Sequence, residues 1–295
     1  MNWDHARFFL AVARSGQILA AARQLGVDHA TVSRRISALE EALRTKLLER
    51  RTAGCTLTSA GERFLAIAER VESEMLQAEA EVSAADLELE GTVRVGAPDG
   101  LGNYFLASEL AQLARQHPRL TIQLVPLPRS FSLSKREADI AVTIDRPSRG
   151  RVVVKKLADY DLHVYASRRH LETFGPISCV ADLADRCLVT YVEDLLYSAA
   201  LDYAEELRRH MPIRYECASV AAQLEAVLSG QSIGILHGYA ARKYPELVPV
   251  LPEMSFQRTY WITAHEDVRD LRRVAVVHEF IARRVEEQRP LFMAR

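Results

Sequence analysis

The segment from Ser59 to Glu90 constrains the chain most. It has no proline and no glycine after Gly61, and its apolar or small residues recur as Phe64, Ala68, Val71, Met75, Ala78, Val82, Ala85 and Leu89. The steps alternate between four and three, a heptad seam with Glu-rich flanks that predicts one long helix. About thirty helical residues span roughly 45 Å at about 1.5 Å per residue. A rod of that length cannot bury its whole seam against the short segment before it. The spacing therefore predicts pairing with a second copy into a homodimer, the alternative being a long helix packed within its own chain. The rod divides the chain into a head (1–58), a linker and dimerisation helix (59–90) and a body (91–295).

Charge follows the same division. Residues 1–58 carry 9 Lys+Arg against 5 Asp+Glu, residues 59–90 carry 2 against 9, and the remainder is close to balance at 27 against 25. A mildly basic head, an acidic rod and a neutral body suggest three different tasks.

The head reads as helix, turn, helix and wing. Asp4–Arg14 places Phe8, Leu10 and Val12 among alanines and stops at Ser15-Gly16. Ile18–Leu25 is a short Ala-rich helix, Gly26-Val27 make a break, and Asp28 is a good N-cap for His29–Leu43. Ala22 lets the helices cross closely, Gly26 takes the left-handed turn, and Val32 packs between them. Ile36, Leu39 and Leu43 continue the buried stripe. Thr31, Ser33, Arg34 and Arg35 are left on the outer, N-terminal part, where a recognition helix meets bases and phosphates. The competing reading is an ordinary three-helix bundle with a solvated arginine face. Leu47–Arg51 and Leu57-Thr58 around Ala53-Gly54 then read as a wing, with Arg50 and Arg51 placed to reach backbone or minor groove. Thr58 or Ser59 caps the helix that follows.

These residues resemble the LysR-type transcriptional regulators. The resemblance is carried by Phe8-Leu10-Val12, Ala20–Val27, Thr31–Ile36 with Leu39-Glu40, Leu47–Arg50 and Leu57–Gly61, and covers the first sixty residues or so nearly continuously. The chain departs where the family often shows a serine-rich helix start (Gln17, Ile18, Leu19) and a Gln-Pro pair (here His29-Ala30). The resemblance implies double-stranded DNA with a palindromic operator as partner, dimers that commonly assemble into homotetramers, a small-molecule effector, and RNA polymerase as the machinery acted upon.

After Gly91 the pattern changes to alternating strands and helices. Strands are expected at 92–97, 121–125, 139–144, 188–192, 213–217 and 232–236, which argues for mostly parallel α/β layers. Val152–Leu157 and Leu162–Ser167 read as two strands flanking a polar crossover at Asp159-Tyr160-Asp161, with a return strand at Tyr260–Ala264 and a helix at Asp270–Glu286. The layout inferred is one subdomain from 91–160 plus 266–295 and a second from 161–265. The resemblance implies the same discontinuous plan, an effector domain of periplasmic-binding-protein type. The fold class expected is thus α/β plus an all-α head.

Ligands of open α/β sheets bind beyond the strands' carboxyl ends, near helix N-termini. Here those positions are Pro98, Asp99, Gly100 and Leu101, then Arg129 and Ser130, Thr143 to Arg146, Tyr191, Ser219 and Val220, and His237; singly each reads as an ordinary cap or loop residue, and the family places its inducer at matching stretches. Ser219 is a sensible N-cap whose neighbouring N–H groups suit a carboxylate. Gly100 departs from the family's frequent serine or threonine, and Asp99 adds a negative charge that an acidic inducer would need Arg129 or Arg146 to offset.

No Walker loop, G-x-S-x-G elbow, H-E-x-x-H or dinucleotide fingerprint is present. A regulator is expected rather than an enzyme, with no cofactor and no metal. A hydrolase or transferase built on 91–295 is the alternative, and a solute-binding transport protein would need export and no head. Four scattered cysteines, Cys55, Cys179, Cys187 and Cys217, read as free thiols, with Cys179 and Cys187 the one candidate redox pair. No apolar run approaches the roughly 18 residues of a membrane span, and the N-terminus lacks a signal peptide, so a cytoplasmic location away from membranes is expected.

Overall fold

A computed structural model describes residues 3–51, 54–82, 89–126, 137–148 and 151–293. The chain forms two compact units, residues 1–87 and 88–295.

In the first unit, helices α1 (Trp3–Ser15), α2 (Ile18–Leu25) and α3 (His29–Leu43) precede strands β1 (Leu48–Arg51) and β2 (Gly54–Leu57) and the long helix α4 (Ser59–Val82). Phe9, Val12, Ala21, Ala22, Val32, Ile36, Leu39 and Leu47 form the core. Gly26 closes α2 at φ 66°, the left-handed conformation expected of it. β1 and β2 pair antiparallel, with Arg50 opposite Cys55 and Arg51 opposite Gly54. Thr58 is the residue that caps α4: its Oγ1 accepts the Gly61 N–H at 2.9 Å and donates to the Lys46 carbonyl at 2.7 Å. Gly61 is required there, since a Cβ would stand 2.1 Å from the Leu47 carbonyl oxygen.

The second unit opens with β3 (Gly91–Ala97), a helical run of α5 (Asp99–Leu101), a π-turn (Gly102–Leu106) and α6 (Ala107–Gln116), then β4 (Leu120–Pro126) and β5 (Ile140–Thr143). There follow β6 (Val152–Ser167), α7 (Arg168–Phe174), β7 (Cys187–Thr190), α8 (Glu205–His210), β8 (Ile213–Glu216), α9 (Val220–Leu228), β9 (Ile233–His237), α10 (Gly238–Ala241) and β10 (Leu247–Pro249). The last elements are β11 (Ser255–His265), α11 (Glu266–Arg269), α12 (Arg272–Glu287) and α13 (Arg289–Phe292).

The strands order as β4-β3-β5-β11-β6-β9-β7-β8, with β10 also on β6. Two parallel groups, β4-β3-β5 and β9-β7-β8, are joined by the antiparallel pair β6 and β11. This is the two-subdomain α/β plan. α12 returns to the first group: Arg284 Nε donates to Glu109 of α6 at 2.6 Å, and Gln288 donates to the other oxygen at 3.0 Å.

One local expectation differs. The polar triplet Asp159-Tyr160-Asp161 does not interrupt a strand; β6 runs through it. Asp159 is satisfied by the Thr259 hydroxyl at 2.6 Å and the Lys156 ammonium at 2.8 Å, while Tyr160 stacks between Tyr260 and His237. The crossover is marked instead by a register shift at Tyr260/Trp261, which leaves Leu157 unpaired between Lys156 and Ala158.

Candidate functional site

Asp28 starts α3 by accepting the Thr31 N–H at 2.7 Å and the Thr31 hydroxyl at 2.9 Å. Those bonds from Thr31 lower the Asp28 carboxyl below its usual range. They also occupy the Thr31 hydroxyl. Beyond the cap, the face of α3 turned away from the core presents His29, Ala30, Arg34 and Ser37 as exposed residues, with Ser33 half-buried. Arg35 is turned toward α1. Its Nη1 lies 3.1 Å from His5 Nε2 and 3.8 Å from the Asp4 carboxylate, and its guanidinium sits 5.8 Å above the Phe8 ring. Ser37 was missed in the sequence, although it follows Ser33 by the four residues that keep one helix face. The side chains of Arg50 and Arg51 lie outside the described residues.

Glu40, in the last turn of α3, ties this helix to the wing. Its Oε1 accepts the N–H groups of Leu47 and Leu48, and Oε2 meets the Lys46 ammonium at 2.6 Å. Burial pushes the carboxyl up, but these three partners outweigh it and hold it below its ordinary value.

The α4 seam divides between two surfaces. Phe64 meets Phe9 edge-on at 5.2 Å, and Ala68 is buried. Arg14 of α1 binds Glu72 at 2.7 Å with Glu69 at 3.7 Å. Val71, Met75 and Ala78 are exposed, and so is Ile67, which the heptad reading left out. Leu89 is half-buried. The Val82 side chain and Ala85 lie outside the described residues.

In the second unit, the loop after β3 meets the start of α9. Asp99 is 4% exposed; its Oδ2 accepts the Val220 N–H at 2.7 Å and lies 3.4 Å from the Ser219 hydroxyl, which donates to it. Burial raises the Asp99 carboxyl above its ordinary value, and the bonds from Val220, Gly100 and Ser219 only partly offset this. Pro98, Gly100 and Leu101 are buried beside it. A Cβ on Gly100 would stand 3.3 Å from His237 Cε1 and 3.4 Å from the Tyr239 hydroxyl, so this loop lies against the end of β9. Burial lowers His237 from 6.5 to about 4, leaving a neutral ring.

Around Asp99 gather tyrosines that the sequence reading had not grouped. Tyr160, Tyr203, Tyr239 and Tyr260 are buried with Tyr191, and Tyr197 is half-buried. Tyr160 and Tyr260 stack at 4.0 Å, and Tyr239 and Tyr260 share a hydroxyl hydrogen bond of 2.8 Å. Burial raises Tyr191 and Tyr197; next in order come Tyr203 and then the Asp99 charge at Tyr191, and the Asp99 charge at Tyr197. No motif announces this group, since its members come from β6, β11, α10 and the loop after β7. The remaining candidates are used otherwise: Thr143 donates its hydroxyl to the Asp145 carbonyl at 2.7 Å, and exposed Arg146 lies 5.4 Å over the Trp261 ring. Arg129 and Ser130 lie outside the described residues. Among the described residues no helix is long and apolar enough to cross a membrane, and no group of three or more His, Cys, Asp or Glu is disposed to hold a metal ion. The four cysteines are free thiols.

Comparison with known proteins matches both units. Residues 3–62 fit the bacterial regulatory helix-turn-helix model of the lysR family, and residues 87–286 fit the LysR substrate binding domain. The transcriptional regulator PtxR of Pseudomonas aeruginosa is 30% identical over 187 residues, 63% of this chain and 60% of that protein. DmlR of Escherichia coli is 27% identical over 292 residues, 97% of this chain and 95% of that one. The crystal structure of ArgP from Mycobacterium tuberculosis shares the fold at a TM-score of 0.70, with 18% identity and 95% of each chain covered.

Proposed function

The chain belongs to the LysR family of transcriptional regulators, and on that premise we propose which of its residues meet DNA, effector and partner copy. Arg34 and Ser33 read base edges from the outer face of α3, Thr31 sets the helix start, and Arg35, Arg50 and Arg51 hold phosphates. The observation that carries this reading is the exposed Arg34 on a helix capped at one end by Asp28 and tied at the other to the wing by Glu40. Preorganisation of that kind lets phosphate contacts fix register while side chains read bases.

Two copies pair through α4 and set two heads on successive half-sites of a palindromic operator. The effector enters between the two strand groups of the second unit, against Asp99, Tyr191, Ser219, Val220 and His237. Binding that favours one angle between these groups alters head spacing through the assembled bodies, and so the engagement of RNA polymerase.

Immunoprecipitation of a tagged copy with genome-wide mapping of bound DNA tests the reading. A few sites sharing an inverted repeat are expected. Absence of enrichment across several growth conditions would count against a DNA-binding role and return attention to the second unit as an enzyme.

A further inference from the structure

Asp99 occupies the place at the start of α9 that an anionic ligand would otherwise take. A free helix N-terminus attracts anions through its unpaired N–H groups and dipole. Here the Val220 N–H already donates to Asp99 Oδ2 at 2.7 Å. A carboxylate entering the cleft would have to displace Asp99 and sit beside its charge.

Asp99 is held by hydrogen bonds from Val220 and Ser219, not by a described cation. Among the described residues no lysine, arginine or histidine forms an ion pair with it. His237, 5% exposed, turns its Cε1–Nε2 edge toward Gly100. The ring is neutral, so it supplies no positive charge. The Tyr203 hydroxyl is buried without a partner among the described residues. A buried carboxylate with no cationic partner among the described residues matches an organic cation, because Coulomb attraction strengthens in a desolvated site.

We propose that the effector cleft of this chain recognises an organic cation of amine, amidine or guanidine type through Asp99, the resident anion at α9. The proposal rests on the cleft being the effector site. It names the ligand's charge and the residue that selects it.

Acetamidinium and acetate have the same planar shape and opposite charge, which makes them a matched pair of probes. Equilibrium dialysis of the full-length protein against each, with crystal soaks to locate the bound probe, reads the selection directly. The wild-type protein is expected to take up acetamidinium saturably beside Asp99 and to leave acetate unbound there. Asp99→Asn, which keeps shape and an acceptor oxygen, should weaken acetamidinium by about tenfold or more. Asp99→Gly should admit acetate at the Val220 N–H. Acetate bound at Val220 in the wild type, no acetamidinium site, or unchanged selection in Asp99→Asn would overturn the proposal. Operator binding measured on the same preparations separates the two readings. If it persists while the probes fail, the ligand class is wrong; if it is absent, the regulatory reading fails first.

Discussion

Glu40 near the end of α3 accepts both N–H groups that open the wing, from Leu47 at 2.9 Å and from Leu48 at 3.1 Å. One buried carboxylate therefore fixes the angle between the proposed base-reading helix and the proposed backbone-gripping strands. Glu40→Ala strands both donors, which costs about 2–4 kcal/mol of head stability if each buried N–H forfeits about 1–2 kcal/mol. Glu40→Gln retains an acceptor and should lose less. The pH dependence follows from the lowered carboxyl: the stabilisation is present above the ordinary value of 4.5 and disappears as pH falls through the lower folded value. The two tryptophans, Trp3 and Trp261, lie in different units. Urea unfolding followed by Trp3 fluorescence in a Trp261→Phe background would report the head; an unchanged midpoint in Glu40→Ala would refute the tie.

His237 gives the second unit an opposite partner for acid. Its folded value lies near 4 against 6.5 when unfolded, so between these pH values the unfolded chain binds more protons than the folded one. Stability from this residue is complete above about pH 6.5 and is lost progressively as pH drops toward 4, to the extent of roughly 3 kcal/mol at about 1.4 kcal/mol per pKa unit. His237→Gln removes the titration. Urea midpoints at pH 7 and pH 5, followed through Trp261, should differ more in the wild type than in the variant. Equal differences would mean the ring protonates freely in the folded protein.

The split of α4 gives two substitutions with opposite readouts. Met75 is 50% exposed, and Met75→Glu is expected to dissociate the proposed pairing of α4 helices without unfolding the head. Phe64 is partly buried and packs on Phe9, so Phe64→Ala should cost head stability, by less than the about 3–5 kcal/mol of a fully buried aromatic. Sedimentation velocity and thermal unfolding on both variants separate these outcomes. An unchanged mass for Met75→Glu would exclude this face from the interface.

What the sequence showed and concealed follows from the range of the interactions. Asp28 and Gly26 act on atoms within a few residues, so cap and turn chemistry exposed them directly, and the same chemistry narrowed the α4 cap to Thr58 or Ser59. The continuity of β6 through Asp159-Tyr160-Asp161 was hidden because the groups satisfying Asp159 include Thr259, on another strand. Asp99 and Val220 are 121 residues apart, and nothing local says that a loop acid will fill a distant helix start. The heptad seam was visible, but its division was not, since only the packed head shows that Ala68 is covered and Phe64 partly so.

Arg34 and Arg35 are neighbours in sequence with different surroundings, which makes them a sharp test of the DNA-binding face. Arg34 is exposed, whereas Arg35 is braced by His5, Asp4 and the Phe8 ring. Losing a base-reading arginine costs about 1–3 kcal/mol of discrimination, so Arg34→Ala should narrow the gap between operator and random DNA by about that much per half-site. A phosphate-holding Arg35 would instead weaken binding to all sequences alike and flatten the salt dependence by about one counterion. Arg35→Ala should also lower the head's melting temperature slightly, because α1 and α3 lose a shared contact; Arg34→Ala should leave it unchanged. Fluorescence anisotropy against operator and scrambled duplexes at several salt concentrations reads all three quantities. If Arg34→Ala keeps its preference for the operator, base recognition moves to the other exposed residues of the same face, His29, Ala30 and Ser37.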